Sequence, residues 1–209
     1  MNNLINKIGG GYNSMIINIL RNNNLVYSQC DRFTPCIRFR GFKKPWESKR
    51  LDNIVTLCGG MDYKHLSEGD IPVYGTGGYM LSVNEALSEK KDAIGIGRKG
   101  TIDKPFILYA PFWTVDTLFY AIPSEETDLH FCYSLFQKID WKKHDESTGV
   151  PSLSKNNINA ILATVTTDIT EQRMIGDFFR KQDETITNTQ HQIVKLRNIK
   201  QACLQQMYA

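Results

Sequence analysis

The sequence predicts an α+β fold, with a domain of short twisted strands and small helices followed by one long C-terminal coiled-coil helix. Three observations predict it. Short alternating or β-branched runs recur between Gly, Pro, Asp and Ser residues, at Ile37 to Phe42, Ile71 to Tyr74, Ala93 to Ile96, Phe106 to Tyr109 and Trp113 to Ile122. Two stretches with helical spacing interrupt them, at Val83 to Ser88 and Asp128 to Lys138. In the second, Leu129, Phe131, Cys132, Leu135, Phe136 and Ile139 make one broad apolar face. The C-terminal segment then changes to a period of four and three.

Residues 1–34 read as a peripheral N-terminal extension. They are rich in asparagine, Gly9-Gly10-Gly11 and Asn22-Asn23-Asn24 interrupt any period, and Ser14 to Leu20 fits either one short helix or one strand. The texture changes at Pro35, and residues 35–167 form the expected globular domain. Ile37 to Phe42 alternates apolar and basic side chains, and Pro45-Trp46-Glu47 leads into a short helix or strand between Leu51 and Leu57. Pro151 stops a polar loop, and Ser154 is placed to cap a short helix over Lys155 to Ile161.

Residues 168–209 form the helix. Ile175, Phe179, Gln182, Ile186, Thr189, Ile193, Leu196, Lys200, Cys203 and Met207 follow one another at alternating steps of four and three, with no Gly after Gly176 and no Pro. That is a heptad seam. Thr170 is expected to cap the helix, with Glu171 and Asp177 placed favourably near its positive end. From Glu171 to Met207 it spans on the order of 55 Å at ~1.5 Å per residue, too long for its stripe to be buried on a small body. A second helix is expected to cover it, from another subunit or from a second copy of the chain in a homodimer. The polar seam residues Gln182, Thr189 and Lys200 would then fix register and partner choice. The alternative is a terminal helix folded back on its own domain.

Composition narrows the function classes. The chain has 209 residues, 41% hydrophobic and 22% charged, which is a globular balance. No apolar run approaches the ~20 residues of a membrane span, and the N-terminus lacks a secretory pattern, so a cytoplasmic protein is expected. Cys30, Cys36, Cys58, Cys132 and Cys203 have no paired spacing and read as buried, reduced thiols; His65, His130, His144 and His191 are scattered. No metal site is expected. The net charge of +3 decides little, but seven cations and one acid, Glu47, lie between Arg32 and Arg50, whereas residues 105–165 carry four cations and seven acids. A basic edge beside acidic surroundings suits a phosphate backbone.

Two glycine-rich segments carry the chemistry. Gly69 to Met80 joins an apolar strand to a loop with two aromatics, Tyr74 and Tyr79, and Ile94 to Gly100 places Arg98 beside Lys99. Gly95 to Gly100 matches G-x-G-x-x-G, but a dinucleotide site needs a helix to begin there, and Thr101-Ile102-Asp103-Lys104-Pro105 is β-branched and proline-interrupted. A turn displaying Arg98 and Lys99 fits better. No phosphate-loop lysine motif and no nucleophile elbow occurs; Glu125-Glu126 and His144-Asp145 lie in polar turns without a nucleophile at a recognisable spacing. No catalytic residues are expected, and the chain reads as a binding protein, not an enzyme.

Double-stranded DNA is read with Arg and Lys on phosphates and guanine edges, and with aromatics for apolar or stacking contacts. The candidate DNA-binding residues are Lys64, His65, Thr76, Gly77, Gly78, Tyr79, Arg98, Lys99, Thr101, Lys104, Lys142 and Lys143. Tyr74 reads equally well as core. The residues expected to meet the partner helix are Ile175, Phe179, Ile186, Ile193, Leu196 and Met207.

With these segments in view, the chain resembles the specificity subunit of type I restriction–modification systems, in a half-length form with a single target-recognition domain. The resemblance rests on Pro35 to Phe42 with Trp46-Glu47, then Ile71 to Gly78, Ile96 to Gly100, Phe112 to Thr117, Pro151 to Ser154, and Glu171-Gln172 opening the long helix, in that order over residues 35–209. It implies a non-catalytic subunit of a DNA-modification complex that reads one half of a bipartite site. Paired antiparallel helices would act as spacer and dock methyltransferase (modification) subunits, with the restriction subunit as a further candidate partner. It implies no cofactor of this chain's own, since S-adenosylmethionine, ATP and Mg2+ would be bound by partner subunits. The alternative is an assembly or modulator protein of such a complex without DNA recognition of its own. Two departures stand out: Thr164 to Thr170 lacks the prolines that often precede the Glu-Gln helix start, and the first thirty or so residues match no part of the pattern.

Overall fold

A computed structural model describes residues 13–27 and 30–208. Residues 1–12 of the expected extension lie outside the described residues. Helix α1 (Asn13–Asn22) leads into β1 (Leu25–Tyr27), which pairs antiparallel with β2 (Ile37–Phe39), Val26 opposite Arg38. The boundary expected at residue 34 therefore falls within the connection between two paired strands, and the chain joins the body by residue 25. Of the two possibilities for Ser14 to Leu20, the helix is the one formed. The same pairing corrects the cysteine reading. Cys30 and Cys36 form a disulfide with Cα atoms 4.4 Å apart, Cys203 is exposed, Cys58 is partly buried, and Cys132 alone is a fully buried free thiol. A hairpin connection brings the first pair together, and no sequence motif marks that.

The body is built on four antiparallel strands in the order β4 (Val55–Gly59), β10 (Leu118–Pro123), β7 (Ala93–Gly97), β8 (Phe106–Leu108). Successive side chains point to opposite faces, and the sheet is covered on both. Ile94, Ile96, Phe119 and Ala121 face the main core, with Phe131, Cys132 and Phe136 of helix α2 (Leu129–Lys138), Trp141, Leu153 and Ile158. Ala93 and Tyr120 face a smaller cluster with Leu108 and Phe112. All five residues of β7 are buried, which is why its sequence is apolar or glycine throughout. Burial in this core pushes the Cys132 thiol well above its ordinary value.

A second sheet of β6 (Gly78–Val83), β5 (Glu68–Gly75) and β9 (Trp113–Thr114) stands on Val73, Val83, Trp113 and Val115. Strands β3 (Glu47–Arg50) and β11 (Leu162–Val165) pair where the domain meets its C-terminal helix. Asp128 caps α2 by accepting from the Phe131 amide, and Ser154 caps α3 (Lys155–Ala160) by accepting from the Asn157 amide, as the latter's sequence position predicts. Two expectations fail. Val83 to Ser88 is not helical, because Leu87 and Ser88 donate to the Phe112 carbonyl and Asn84 pairs with Ser67 across the chain. The run from Trp113 to Ile122 is two strands, divided by a turn in which the Leu118 amide donates to Val115.

Helix α4 (Ile169–Met207) has 39 residues. Its cap is Asp168, whose carboxylate accepts from the amides of Thr170 and Glu171, and not Thr170 as expected. Its first turns pack on α2 and its remainder projects, with every residue from Asp183 to Tyr208 exposed. Among the described residues no helix is long and apolar enough to cross a membrane.

Candidate nucleic-acid interface

The two glycine-rich segments meet at one surface. Strands β5 and β6 close a tight hairpin, Gly75 opposite Gly78, with Gly78 at φ 103°, a backbone conformation that side chains resist. This turn presents Thr76 and Gly77. The loop from Arg98 to Pro105 joins β7 to β8, and no helix follows Gly95 to Gly100, which removes the dinucleotide-binding geometry. That loop reaches the hairpin at Gly100, where an added Cβ would lie 3.9 Å from the Thr76 hydroxyl.

Backbone bonds fix the loop from below. The Arg98 and Lys99 amides donate to the Thr117 carbonyl, the Leu153 amide donates to Arg98, and the Gly100 amide donates to Pro151. Arg98 and Lys99 are exposed on this base, with the Arg98 guanidinium 5.7 Å from the centre of the Phe119 ring and 3.4 Å from the Asp116 carbonyl. The 145–152 segment is held in turn by the Asp145 carboxylate, which accepts from the amides of Ser147 and Ser152 at 2.9 Å each. Those donated bonds, from Ser152 first and then Ser147, hold Asp145 below the usual carboxylate range.

The candidate residues separate by how their charge is used. Lys142 lies 2.9 Å from Asp103. The hydrogen bond between them keeps the Lys142 ammonium above its ordinary value and the Asp103 carboxyl below its own. Lys143 pairs with Asp140 at 3.1 Å. Both lysines are exposed, but each is answered by an acid, whereas Arg98, Lys99 and Lys104 enter no ion pair among the described residues. Thr101 is half-buried beside them. Lys64 shares a cleft of about 690 Å³ with Tyr79, whose ring is 62% exposed. His65 is exposed and sets an edge against Trp113 at 6.0 Å. Tyr74 is half-buried between Tyr79 and Phe106, so it belongs to the support of the hairpin.

Folding engages part of the basic edge seen in the sequence between Arg32 and Arg50, whereas Arg32, Arg40 and Lys43 stay exposed and enter no ion pair among the described residues. Arg38 is buried and makes a two-pronged bond to Glu171, 2.6 Å from Nε to one oxygen and 2.9 Å from Nη2 to the other, while Nη2 also donates to the Lys44 carbonyl. Arg50 is taken up by Asp52 and Lys44 lies beside Glu47. The neighbouring Gln172 accepts from the Asp128 amide and donates to the Thr166 carbonyl. Glu171-Gln172 thus locks the rod to the domain, and Glu171 does so from the first turn of the helix, where its position in the sequence puts it. Gly176 continues the contact, since a Cβ there would lie 2.6 Å from the Phe131 amide nitrogen. Sequence reasoning missed Arg38 as an anchor, and its position in an alternating apolar and basic run was the available signal.

The family described as Type I restriction modification DNA specificity domain matches residues 43–198. Among solved structures, the chain resembles the type I restriction–modification S subunit from M. genitalium at 16% identity with a TM-score of 0.59, over 77% of this chain and 42% of that one. It also resembles a chain from a study of complex assembly and conformational transition of the type I R-M system, at 13% identity and a TM-score of 0.57, over 78% of this chain and 46% of that one. The chain thus spans under half the length of these two proteins, and at such identities the likeness carries the fold. No curated protein sequence matches it. A match through the two glycine-rich loops and most of α4, on this same fold, means that the chain belongs to the family of type I restriction modification DNA specificity domains.

Proposed function

We propose that this chain reads one half of a bipartite DNA site for a type I restriction–modification complex. The hairpin turn at Thr76 to Gly78 and the Arg98 to Lys104 loop face the duplex, and α4 docks methyltransferase subunits and pairs with a second copy. The observation that carries the reading is the convergence of the two glycine-rich loops, with Arg98 and Lys99 exposed and outside any ion pair among the described residues, in a chain of this family. Phosphates would be met by these cations and base edges by the hairpin. No step of this function needs a cofactor held by the chain, and S-adenosylmethionine, ATP and Mg2+ fall to the partner subunits.

A gel-shift selection over random duplexes, with and without the methyltransferase subunit, tests this. The expected result is enrichment of a defined half-site, or of two half-sites in inverted order when the chain is paired, and affinity that falls steeply with salt. Stoichiometric binding of the methyltransferase subunit with no sequence preference under either condition would instead establish the assembly-protein alternative.

A further inference from the structure

The bare part of α4 selects one way of meeting a second copy. Helix α2 covers the seam up to Ile175, which packs against the main core. Beyond it, Phe179, Ile186, Ile193, Leu196 and Met207 are between 42 and 76% exposed. A parallel pair in register would stack Lys200 on Lys200 and Gln182 on Gln182, and its flanking positions would set Phe178 beside Asp183 and Gln192 beside Arg197, so no opposite charges meet. An antiparallel pair has one register in which the polar seam residues answer each other. Gln182 then faces the partner's Lys200, Ile186 its Leu196, Phe179 its Cys203 and Thr189 its Ile193. Sliding by one heptad in one direction sets Gln182 on Met207 and Thr189 on Lys200; sliding in the other sets Gln182 on Ile193 and Ile175 on Lys200.

The flanks choose the same register independently. In it Asp183 faces the partner's Arg197 on both sides of a two-fold axis that passes beside His191, and in the two shifted registers each of these charges meets an uncharged residue. Within the chain, Arg180 engages Asp177 and Glu184, whereas Asp183 and Arg197 form no ion pair among the described residues. We infer that two copies pair antiparallel through α4 in this one register, closed by two Asp183–Arg197 ion pairs. The inference rests on the pairing under Proposed function; the antiparallel direction agrees with what the family resemblance implies, and the register and its two ion pairs are what is added. In this register the two copies of Phe179 lie about 36 Å apart along the rod. It also brings the partner's last turn, Leu204 and Met207, to the mouth of a cleft of about 500 Å³ lined by Ile107, Tyr109, His130, Tyr133 and Phe179.

Cysteine placement tests the register on the full chain. Phe179→Cys is expected to cross-link to Cys203 of the other copy on mild oxidation, giving a covalent dimer on a non-reducing gel that Cys203→Ala abolishes. A Cys203–Cys203 link in the unsubstituted protein would overturn the direction, and an efficient link from Ile186→Cys to Cys203 would overturn the register. Charge exchange covers the case in which Phe179→Cys disturbs the helix. Asp183→Arg and Arg197→Asp are each expected to raise the dimer dissociation constant about tenfold, with recovery in the double variant. Absence of recovery counts against the ion pairs and hence the register. A chain that is monomeric by mass at every concentration would instead overturn the pairing itself.

Discussion

Arg38 and Glu171 stand 133 positions apart in sequence and meet in a pair that is 5% and 0% exposed. Removing one partner strands the other charge out of water, which costs about 3–5 kcal/mol. Glu171→Ala is therefore expected to lower unfolding stability by that amount in denaturant titration, and an Arg38→Ala/Glu171→Ala double variant should lose far less than the two single losses together. Asp145 works on a different scale. Its folded pKa lies below the unfolded one, so its bonds to Ser147 and Ser152 stabilise the loop fully above about pH 4 and are lost as pH falls through the lower folded value. In an NMR titration the Ser147 and Ser152 amide shifts should move together with a midpoint below about 4. A midpoint at or above that would contradict the assignment, and Asp145→Asn should remove the transition.

The contact between α2 and α4 depends on a missing side chain. Alanine is the better helix former by about 1 kcal/mol, so an isolated α4 would gain from Gly176→Ala. Here the new Cβ would lie 2.6 Å from the Phe131 backbone nitrogen and 2.7 Å from an Asp128 carboxylate oxygen that is the α2 cap. Neither can withdraw without unseating that cap. The variant is expected to lose about 1–3 kcal/mol in denaturant unfolding, with the projecting part of α4 keeping its helicity by circular dichroism. A net gain in stability would show that the helices are not so closely packed.

For the molecule as a whole, exposed charge is divided between groups that act outward and groups answered within the chain. Arg98→Ala and Lys99→Ala are each expected to weaken binding across all duplex sequences and to lower the salt slope of the binding constant by about one. Lys143→Ala, whose partner Asp140 already offsets it at 3.1 Å, should change the slope less. Equal changes at all three positions would mean that the ion pair opens on the duplex, and no change at Arg98 or Lys99 would remove this loop from the interface.

Much of this was legible in the sequence because it is local or periodic. The alternation of four and three from Ile175 to Met207 is a property of one helix, and the Ser154 cap and the strand-like run from Ala93 to Ile96 are local in the same way. The absence of a helix after Gly100 was legible for the same reason, since Pro105 and the β-branched residues before it forbid one locally. The remainder depends on groups that the chain brings together from far apart. A cation run cannot show that Arg38 will be buried against Glu171, nor can Lys142 alone show that Asp103 will answer it. Val83 to Ser88 has helical spacing, yet its amides are drawn to Ser67 and Phe112. Periodicity along the chain determines which faces are apolar; which charges remain free and where the rod is fixed are decided by long-range contacts, because ion pairing and desolvation act between neighbours in space.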